Sequence, residues 1–472
     1  MTTAVSDQAR SRSLSRVVAA SLIGTTIEWY DYFLYGTAAA LVFGKVFFPN
    51  SDPLTGTLLS FLTYAIGFAA RPLGALVFGH FGDRIGRKRL LVVSLLLMGG
   101  STTLIGCLPT YASVGVTAPV LLTLLRLVQG FALGGEWGGA VLLVSEHGDA
   151  KRRGFWASWP QGGAPAGNLL AAGALSLLTG LQSEATFLAW GWRVPFLLSA
   201  VLVGVGLWIR LAVDESPLFK EALARAAARG KPEQPPLVAV LRHHWREVLV
   251  AMGARMAENI SYYVMTTFVL VYAVSHAHFP KQTALNAVLI ASAVQFALIP
   301  LFGALSDRVG RKPVYLVGAV GVGVWAFVFF GMVDTGSFGS LVLAVTVGLV
   351  FHSAMYAPQA AFFSELFATR MRYSGASIGA QFASVAAGAP APLIATALLK
   401  DHGSSTPISV YVAIAAVITV LAVLCGRETR GRDLAELPGA RTAEEGAAAG
   451  TGAGAAADAE PGAAAVGKAA TA

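Results

Sequence analysis

Charge is scarce in this chain. Asp, Glu, Lys and Arg make up 13% of it, where a soluble protein carries roughly a quarter. With 55% hydrophobic residues and a mean hydropathy of +0.64, most of the chain belongs in lipid. The spacing Gly-x-x-x-x-Gly-Lys-Ser/Thr is missing, and no polar stretch is long enough for a soluble catalytic or nucleotide-binding domain. That excludes an enzyme or an ATP-driven pump, and no catalytic residue, cofactor or metal is expected. The net charge is +8, yet there is no basic stripe, zinc-ligand spacing or aromatic–basic interleave, so nucleic acid is not an expected partner. Cysteine is limited to Cys107 and Cys425, at the ends of the third and twelfth apolar spans. They belong at opposite membrane faces, too far apart for a disulfide. A small-residue cleavage site after a short apolar core is also absent. The polar residues 1–16 lead into a run that contains Glu28 and Asp31 and continues to Phe43, which reads as a retained first membrane helix.

What the chain has is long apolar runs. A hydrocarbon core about 30 Å thick needs roughly 20 apolar residues per helix. Twelve segments qualify: 17–43, 56–81, 90–110, 118–144, 155–180, 190–212, 247–275, 283–305, 314–333, 338–364, 373–399 and 406–426. The one long internal polar stretch, 213–246, carries Pro232, Pro235 and Pro236 and reads as a linker. The expected architecture is an all-α membrane protein: twelve transmembrane helices in two pseudo-symmetric six-helix bundles, 17–212 and 247–430. An N-terminal segment, 1–16, precedes them, and an Ala/Gly-rich tail, 431–472, follows. The tail cannot bury a core and is expected to be disordered.

A repeat supports the two bundles. Gly79-His-Phe-Gly-Asp-Arg-Ile-Gly-Arg-Lys88 returns as Gly303-Ala-Leu-Ser-Asp-Arg-Val-Gly-Arg-Lys312, offset by 224 residues. Short charged loops repeated between apolar spans mark a duplicated membrane bundle. Orientation follows from Lys and Arg. With both termini inside, 27 of the 34 lie on cytoplasmic segments, while Lys45, Lys281, Lys400 and Arg193 lie on or beside the opposite face. Arg71, Arg126 and Arg255 remain for the membrane interior.

Interior charges are expensive, on the order of 2.5–3.5 kcal/mol each on the insertion scale, and by default face a bundle interior or cavity. Glu28 and Asp31 fall in helix 1, Arg71 in helix 2, Arg126 and Glu136 in helix 4, Arg255 and Glu258 in helix 7, and His352 in helix 10. Helices 3, 6, 9 and 12 carry none. This period of three predicts that helices 1, 4, 7 and 10 line a central cavity and that every third helix faces lipid. The pairs Glu28/Asp31 and Arg255/Glu258 share a spacing of three, hence one helix face, and are offset by 227 residues. A binding site between the bundles is the expectation. His352 reads as a helix-packing hydrogen-bonder. Glycines at 130, 134, 135, 138 and 139 supply small-xxx-small spacing for close packing. Gly163-Ala-Pro165-Ala returns as Gly388-Ala-Pro390-Ala, read as a hinge or as a kink required for packing.

The doubled loop resembles the signature of the major facilitator superfamily, and Arg126-Leu-Val-Gln-Gly130 resembles its helix-4 motif. A finer resemblance is to the metabolite:proton symporter family, which includes transporters of organic acids and of zwitterions such as proline and betaine. It rests on Glu28-Trp-Tyr-Asp-Tyr, Arg71-Pro-Leu-Gly, Gly134-Gly-Glu-Trp-Gly-Gly139, Gly191-Trp-Arg-Val-Pro-Phe196, Glu215-Ser-Pro and Glu365-Leu-Phe-Ala-Thr-Arg-Met-Arg-Tyr-Ser-Gly-Ala-Ser377. Together these cover residues 15–430 or so. The resemblance implies alternating access, with Asp83 latching the bundles at the cytoplasmic side and Asp307 doing so more weakly. Arg84, Arg87, Arg308 and Arg311 are the basic gating candidates. Asp31 and Arg126 look like the helix-1 acid and helix-4 arginine that pair in proton-coupled sugar porters.

Four interior acids against three arginines leave one acid to carry a proton. Asp31, Glu28 and Glu136 are the candidates, since an apolar cavity and a guanidinium push a carboxyl in opposite directions. Arg71, Arg126 and Arg255 are candidate clamps for a substrate carboxylate. Glu258, Tyr32, Gln129, Asn259, Tyr262 and Gln359 are candidate polar contacts. The expected function is proton-coupled import of a small organic acid or zwitterion by a monomer in a bacterial inner membrane, both termini cytoplasmic. The rivals are a proline/betaine symporter, whose osmosensing members carry a C-terminal coiled coil absent here, an uncoupled facilitator, and a drug antiporter. The last would need Gly-Pro-x-x-Gly-Gly in helix 5, where Ala164-Pro-Ala-Gly-Asn168 stands.

Overall fold

The computed structural model describes residues 2–85, 87–134, 150–212, 244–367, 379–388 and 390–432, with side chains at 2–17, 79–89, 91, 150 and 210–212 left aside. Glu136, most of the 213–246 linker, nearly all of the tail and the side chains of Asp83, Arg84 and Arg87 thus lie outside the description.

Twelve helical rods overlap the twelve expected spans among the described residues. They are α1 (Thr2–Ala38, extended by Ala39–Phe43 and Gly44–Phe47), α2 (Pro53–Phe78), α3 (Arg87–Cys107), α4 (Thr117–Leu133), α5 (Arg153–Leu181) and α6 (Arg193–Ala212). The second set is α7 (Trp245–Tyr263, extended by Val264–Phe268 and Val269–Ser275), α8 (Lys281–Val309), α9 (Arg311–Val333), α10 (Phe338–Leu366), α11 (Gly379–His402) and α12 (Thr406–Cys425). Not every rod is uniformly apolar. α7 carries Arg246, Glu247, Arg255 and Glu258 along its length, so its residues must be paid for by partners inside the protein.

The duplication is visible in the backbone as well as the loops. A π-helical turn interrupts α1 at Ala39–Phe43 and α7 at Val264–Phe268, an offset of 225 residues. Such single wide turns inside α-helices occur often at functional sites. α5 pauses at Gly162 between Gln161 and Gly163, and its counterpart α11 has a π-helical turn at Ser384–Gly388.

In lipid, helices associate through close packing and polar contacts rather than through water exclusion. α2 and α4 cross glycine on glycine: a Cβ on Gly130 would stand 1.7 Å from the Gly67 carbonyl oxygen. The same bare backbone at Gly67 leaves room for the Arg126 side chain, whose Nε would lie 2.7 Å from a Cβ there. α5 packs on α1 on one side and on α8 and α10 on the other, and α2 meets α11. Polar bonds cross the α5–α8 seam, Asn168 to Ser292 at 3.1 Å and Ser176 to Asn286 at 2.5 Å. Large apolar side chains point outward from α3 (Val93, Leu96, Leu104), α6 (Val201, Val205, Trp208), α9 (Val317, Val324, Phe327) and α12 (Ile414, Val417, Leu421). These are the four helices without interior charge. Cys107 and Cys425 are free thiols.

Candidate functional site

Two buried clusters meet at the centre. The first is built on Tyr32 of α1, whose ring packs against Tyr64 and Phe68 of α2 and Tyr263 of α7 at centroid distances of 5.1, 5.2 and 6.1 Å. Two arginines flank this ring. The Arg71 guanidinium lies 4.0 Å from the Phe68 centroid and 4.7 Å from that of Tyr32. Arg126 lies 4.4, 4.5 and 4.9 Å from the rings of Tyr35, Tyr64 and Tyr32. Arg71 is 5% and Arg126 2% exposed, and neither has a carboxylate within ion-pair distance among the described residues. Ring faces offset part of the cost of burying a cation, by roughly 2 kcal/mol or more when desolvated. Arg71 Nη2, Arg126 Nε and the hydroxyls of Tyr32 and Tyr64 have no hydrogen-bond partner.

Asp31 and Arg126 do not pair directly, in contrast to the expectation drawn from sugar porters. Asp31, 1% exposed, turns to α3 and α6, where Ser199 donates to Oδ1 at 2.5 Å and the Thr102 hydroxyl faces the same carboxylate. Arg126 Nη1 donates to Gln129 Oε1 at 2.9 Å, and Gln129 Nε2 donates to Thr102 Oγ1 at 2.6 Å. Acid and arginine are the two ends of one polar chain, Asp31–Thr102–Gln129–Arg126. Glu28, one turn earlier on α1, is half-buried and does not line the cavity.

The second cluster surrounds a cavity with about 260 Å³ of space between atoms. Trp29 and Phe33 of α1 and Ala164 of α5 form one wall; Arg255, Glu258, Asn259, Tyr262 and Tyr263 of α7 with His352 and Tyr356 of α10 form the other. That volume sits just under the roughly 300 Å³ at which drug-sized pockets begin, so it suits a small metabolite. Glu258 Oε2 accepts from Asn259 at 3.1 Å and Gln359 at 3.2 Å and faces Arg255 Nε at 3.5 Å, while Oε1 faces His352 Nε2 at 3.5 Å. Here the expected lining is corrected: α5 contributes and α4 does not, because Arg126 lies behind the Tyr32–Tyr64 rings and Ala164 needs no charge to face the cavity. His352, expected as a packing residue, borders the cavity and holds Gln295 of α8 at 2.7 Å.

The two ends of the site are closed differently. At one end Asp307 accepts from the backbone N–H groups of Gly154 and Phe155 at 2.8 and 2.9 Å, in the first turn of α5, and from Arg311 at 2.8 Å. A carboxylate at a helix N-terminus is favoured by unpaired N–H groups and the macrodipole. Glu365 of α10 receives Arg153 at 3.0 Å, Arg311 at 3.2 and 3.3 Å, and Thr429 at 2.7 Å. Glu428 accepts from the N–H groups of Arg311 and Lys312, both at 3.0 Å, around Gly310, whose φ of +118° suits glycine. Burial pushes the Glu428 carboxyl up, but the backbone donors of Arg311, Lys312, Arg430 and Thr429 outweigh it and hold the group below its usual range. Arg308 is exposed and outside this network. At the other end Glu184 bridges Lys45 at 2.8 Å and Lys281 at 2.9 Å, and Lys400 reaches Asp52 at 3.5 Å and Thr55. Arg153 and Glu365 were not recognised as a seal from sequence; a charge at each end of α5 and α10, offset in the repeat from no partner, was the available signal.

Helices that expose apolar faces outward, enclose a buried polar site and close it at both ends define a membrane transporter of the major facilitator fold. The chain belongs to the sugar (and other) transporter family, whose model matches residues 17–440. It is similar to the inner membrane metabolite transport protein YhjE of Escherichia coli K12, 40% identical over 89% of this chain and 96% of that protein. The shikimate transporter of the same strain is 38% identical over 89% and 96%. Among solved structures, the proton:xylose symporter XylE with bound 6-bromo-6-deoxy-D-glucose matches at a TM-score of 0.69 over 90% of this chain and 98% of that one, at 17% identity, which speaks for the fold alone. The metabolite:proton symporter resemblance read from the motifs agrees with these relatives.

Proposed function

We propose that the protein imports a small organic acid together with protons by alternating access, with the Asp307 end facing the cytoplasm. The observation that carries this reading is the pair Arg71 and Arg126. Two buried guanidinium groups flank one tyrosine ring with no carboxylate beside either among the described residues. Removing a charge from water without a partner is costly, and a ligand carboxylate would supply the missing partner with two parallel hydrogen bonds. Asp31 is the proton carrier in this reading. Its charge reaches Arg126 through Thr102 and Gln129, so proton occupancy and the readiness of Arg126 for an anion are linked. Positive-inside counting supports the orientation.

A zwitterion such as betaine is the second reading. An aromatic box suits a quaternary ammonium, but Arg71 and Arg126 already occupy those ring faces. The one acid lining the cavity, Glu258, already faces Arg255. Both points favour an anion. A thermal-shift screen of purified protein against mono-, di- and tricarboxylates, shikimate, proline and betaine tests the choice. Carboxylates should raise the melting temperature in wild type and much less in Arg71→Gln or Arg126→Gln. Stabilisation by betaine and by no carboxylate would reverse the assignment. In proteoliposomes an inward gradient of the binding acid should acidify the lumen, and flux without proton movement would reduce the protein to a facilitator.

A further inference from the structure

Glu258 has a second feature that the reading above does not use: its two carboxylate oxygens face partners that can each change state. Oε2 faces Arg255 at 3.5 Å with Asn259 and Gln359 as neutral donors, and Oε1 faces His352 Nε2 at 3.5 Å. Both charged contacts are longer than the roughly 2.7–2.9 Å of a charge-assisted hydrogen bond. Arg255, Glu258 and His352 also line the cavity, so an anion that enters can reach the same guanidinium. Every other titratable group packed round the cluster is a tyrosine: Tyr262 and Tyr263 from α7, Tyr315 from α9 and Tyr356 from α10.

We propose that Glu258 is a second proton-binding site, loaded when an incoming carboxylate takes over Arg255. The proposal rests on the organic-acid reading for its ligand. One arginine cannot neutralise two carboxylates in a dry cavity, and a proton on Glu258 removes the excess negative charge. The proton comes from hydronium at the open side: an O–H bond of hydronium breaks, an O–H bond on Glu258 forms, and water leaves. His352 can serve both states. With Gln295 Nε2 donating to Nδ1, the imidazole keeps its proton on Nε2 and donates to the carboxylate. With the Gln295 amide turned over, Oε1 accepts from Nδ1–H, and Nε2 becomes an acceptor for the carboxylic O–H of Glu258. Gln295 Oε1 is buried without a hydrogen-bond partner in the present arrangement. A fixed ion pair has no use for that vacancy, and a tautomer switch does.

The test needs no identified ligand, because removing the Arg255 charge imitates its capture. Full-length Arg255→Gln and Arg255→Met proteins in lipid vesicles at pH 7 are compared with wild type by infrared spectroscopy. Each folded variant should show a protonated carboxyl C=O band absent from wild type, and adding Glu258→Gln should remove it. No such band, or a band that survives Glu258→Gln, overturns the proposal. Should both Arg255 variants fail to fold, wild type and Glu258→Gln are compared during proton-driven shikimate uptake by reversal potential. The variant should carry one proton fewer per substrate; an unchanged ratio overturns the proposal. If no carboxylate binds wild type, the organic-acid reading fails, while the infrared result still decides whether Glu258 takes a proton.

Discussion

The two seals that close the site differ in depth. The seal at Asp307 is dry: Arg153, Arg311 and Glu365 have side chains at most 4% exposed, and backbone donors of α5 take part. The seal at Glu184 is wet: Glu184 and Lys45 have side chains more than half exposed. Buried networks lose several kcal/mol when one partner goes, because the remaining charge is stranded, whereas exposed pairs contribute about 0–1 kcal/mol and are screened by salt. The comparison teaches that one gate is set by the protein itself and the other by the solution around it. Opening at Glu184 is then the easy half of the cycle.

The sharpest way to break this contrast is Glu365→Gln. It strands Arg153 and Arg311 together, and about 3–5 kcal/mol should be lost from the closed state at that end. Accessibility of introduced cysteines to a membrane-impermeant maleimide from that side should rise by orders of magnitude, with gradient-driven uptake abolished. Unchanged labelling would mean the network does not hold the gate. Asp307→Asn ranks next: the amide keeps one acceptor oxygen but loses the charge facing Arg311 and the α5 N-terminus, a cost of about 2 kcal/mol. Labelling should increase by ten- to fiftyfold. Glu184→Gln should cost about 1 kcal/mol or less, and raising salt to 1 M should reproduce its effect in wild type while leaving the Asp307 seal closed. A salt response of equal size at both ends would erase the distinction.

The smallest effect is expected from pH at Glu428. A carboxyl held below its unfolded value of about 4.3 contributes fully above that value and is lost only as pH falls through the depressed one. Labelling at the Asp307 end should therefore be flat from pH 8 to 5 and rise only in stronger acid. A rise between pH 7 and 5 would assign the seal to another group.

The sequence made the spans and the charges inside them readable because both depend on cost: apolar length for lipid, and rare charges that need shelter. The repeated loop led directly to Asp307 and Arg311. What stayed hidden depends on which faces meet. Ser199 and Thr102, the partners of Asp31, sit on helices without interior charge, where a lone hydroxyl in an apolar run is a weak signal. Ala164 reaches the cavity through bare backbone rather than through chemistry. Arg153 was counted among the basic residues that set orientation, and its buried partner Glu365 lies 212 residues away. The direct Asp31–Arg126 pair carried over by resemblance gave way to a longer polar chain, since the flat faces of Tyr32, Tyr35 and Tyr64 hold the guanidinium in place.

Glu428 and Thr429 have a practical consequence for handling the protein. They follow the last helix, where a chain is customarily shortened or fused to a purification tag. Yet Glu428 caps the first turn of α9, and Thr429 donates to Glu365. Shortening after Gly426 would remove two ties of the inner gate, and a reporter attached there would report on a loosened machine. Attachments belong beyond Arg432, which still touches Arg153 and Glu365.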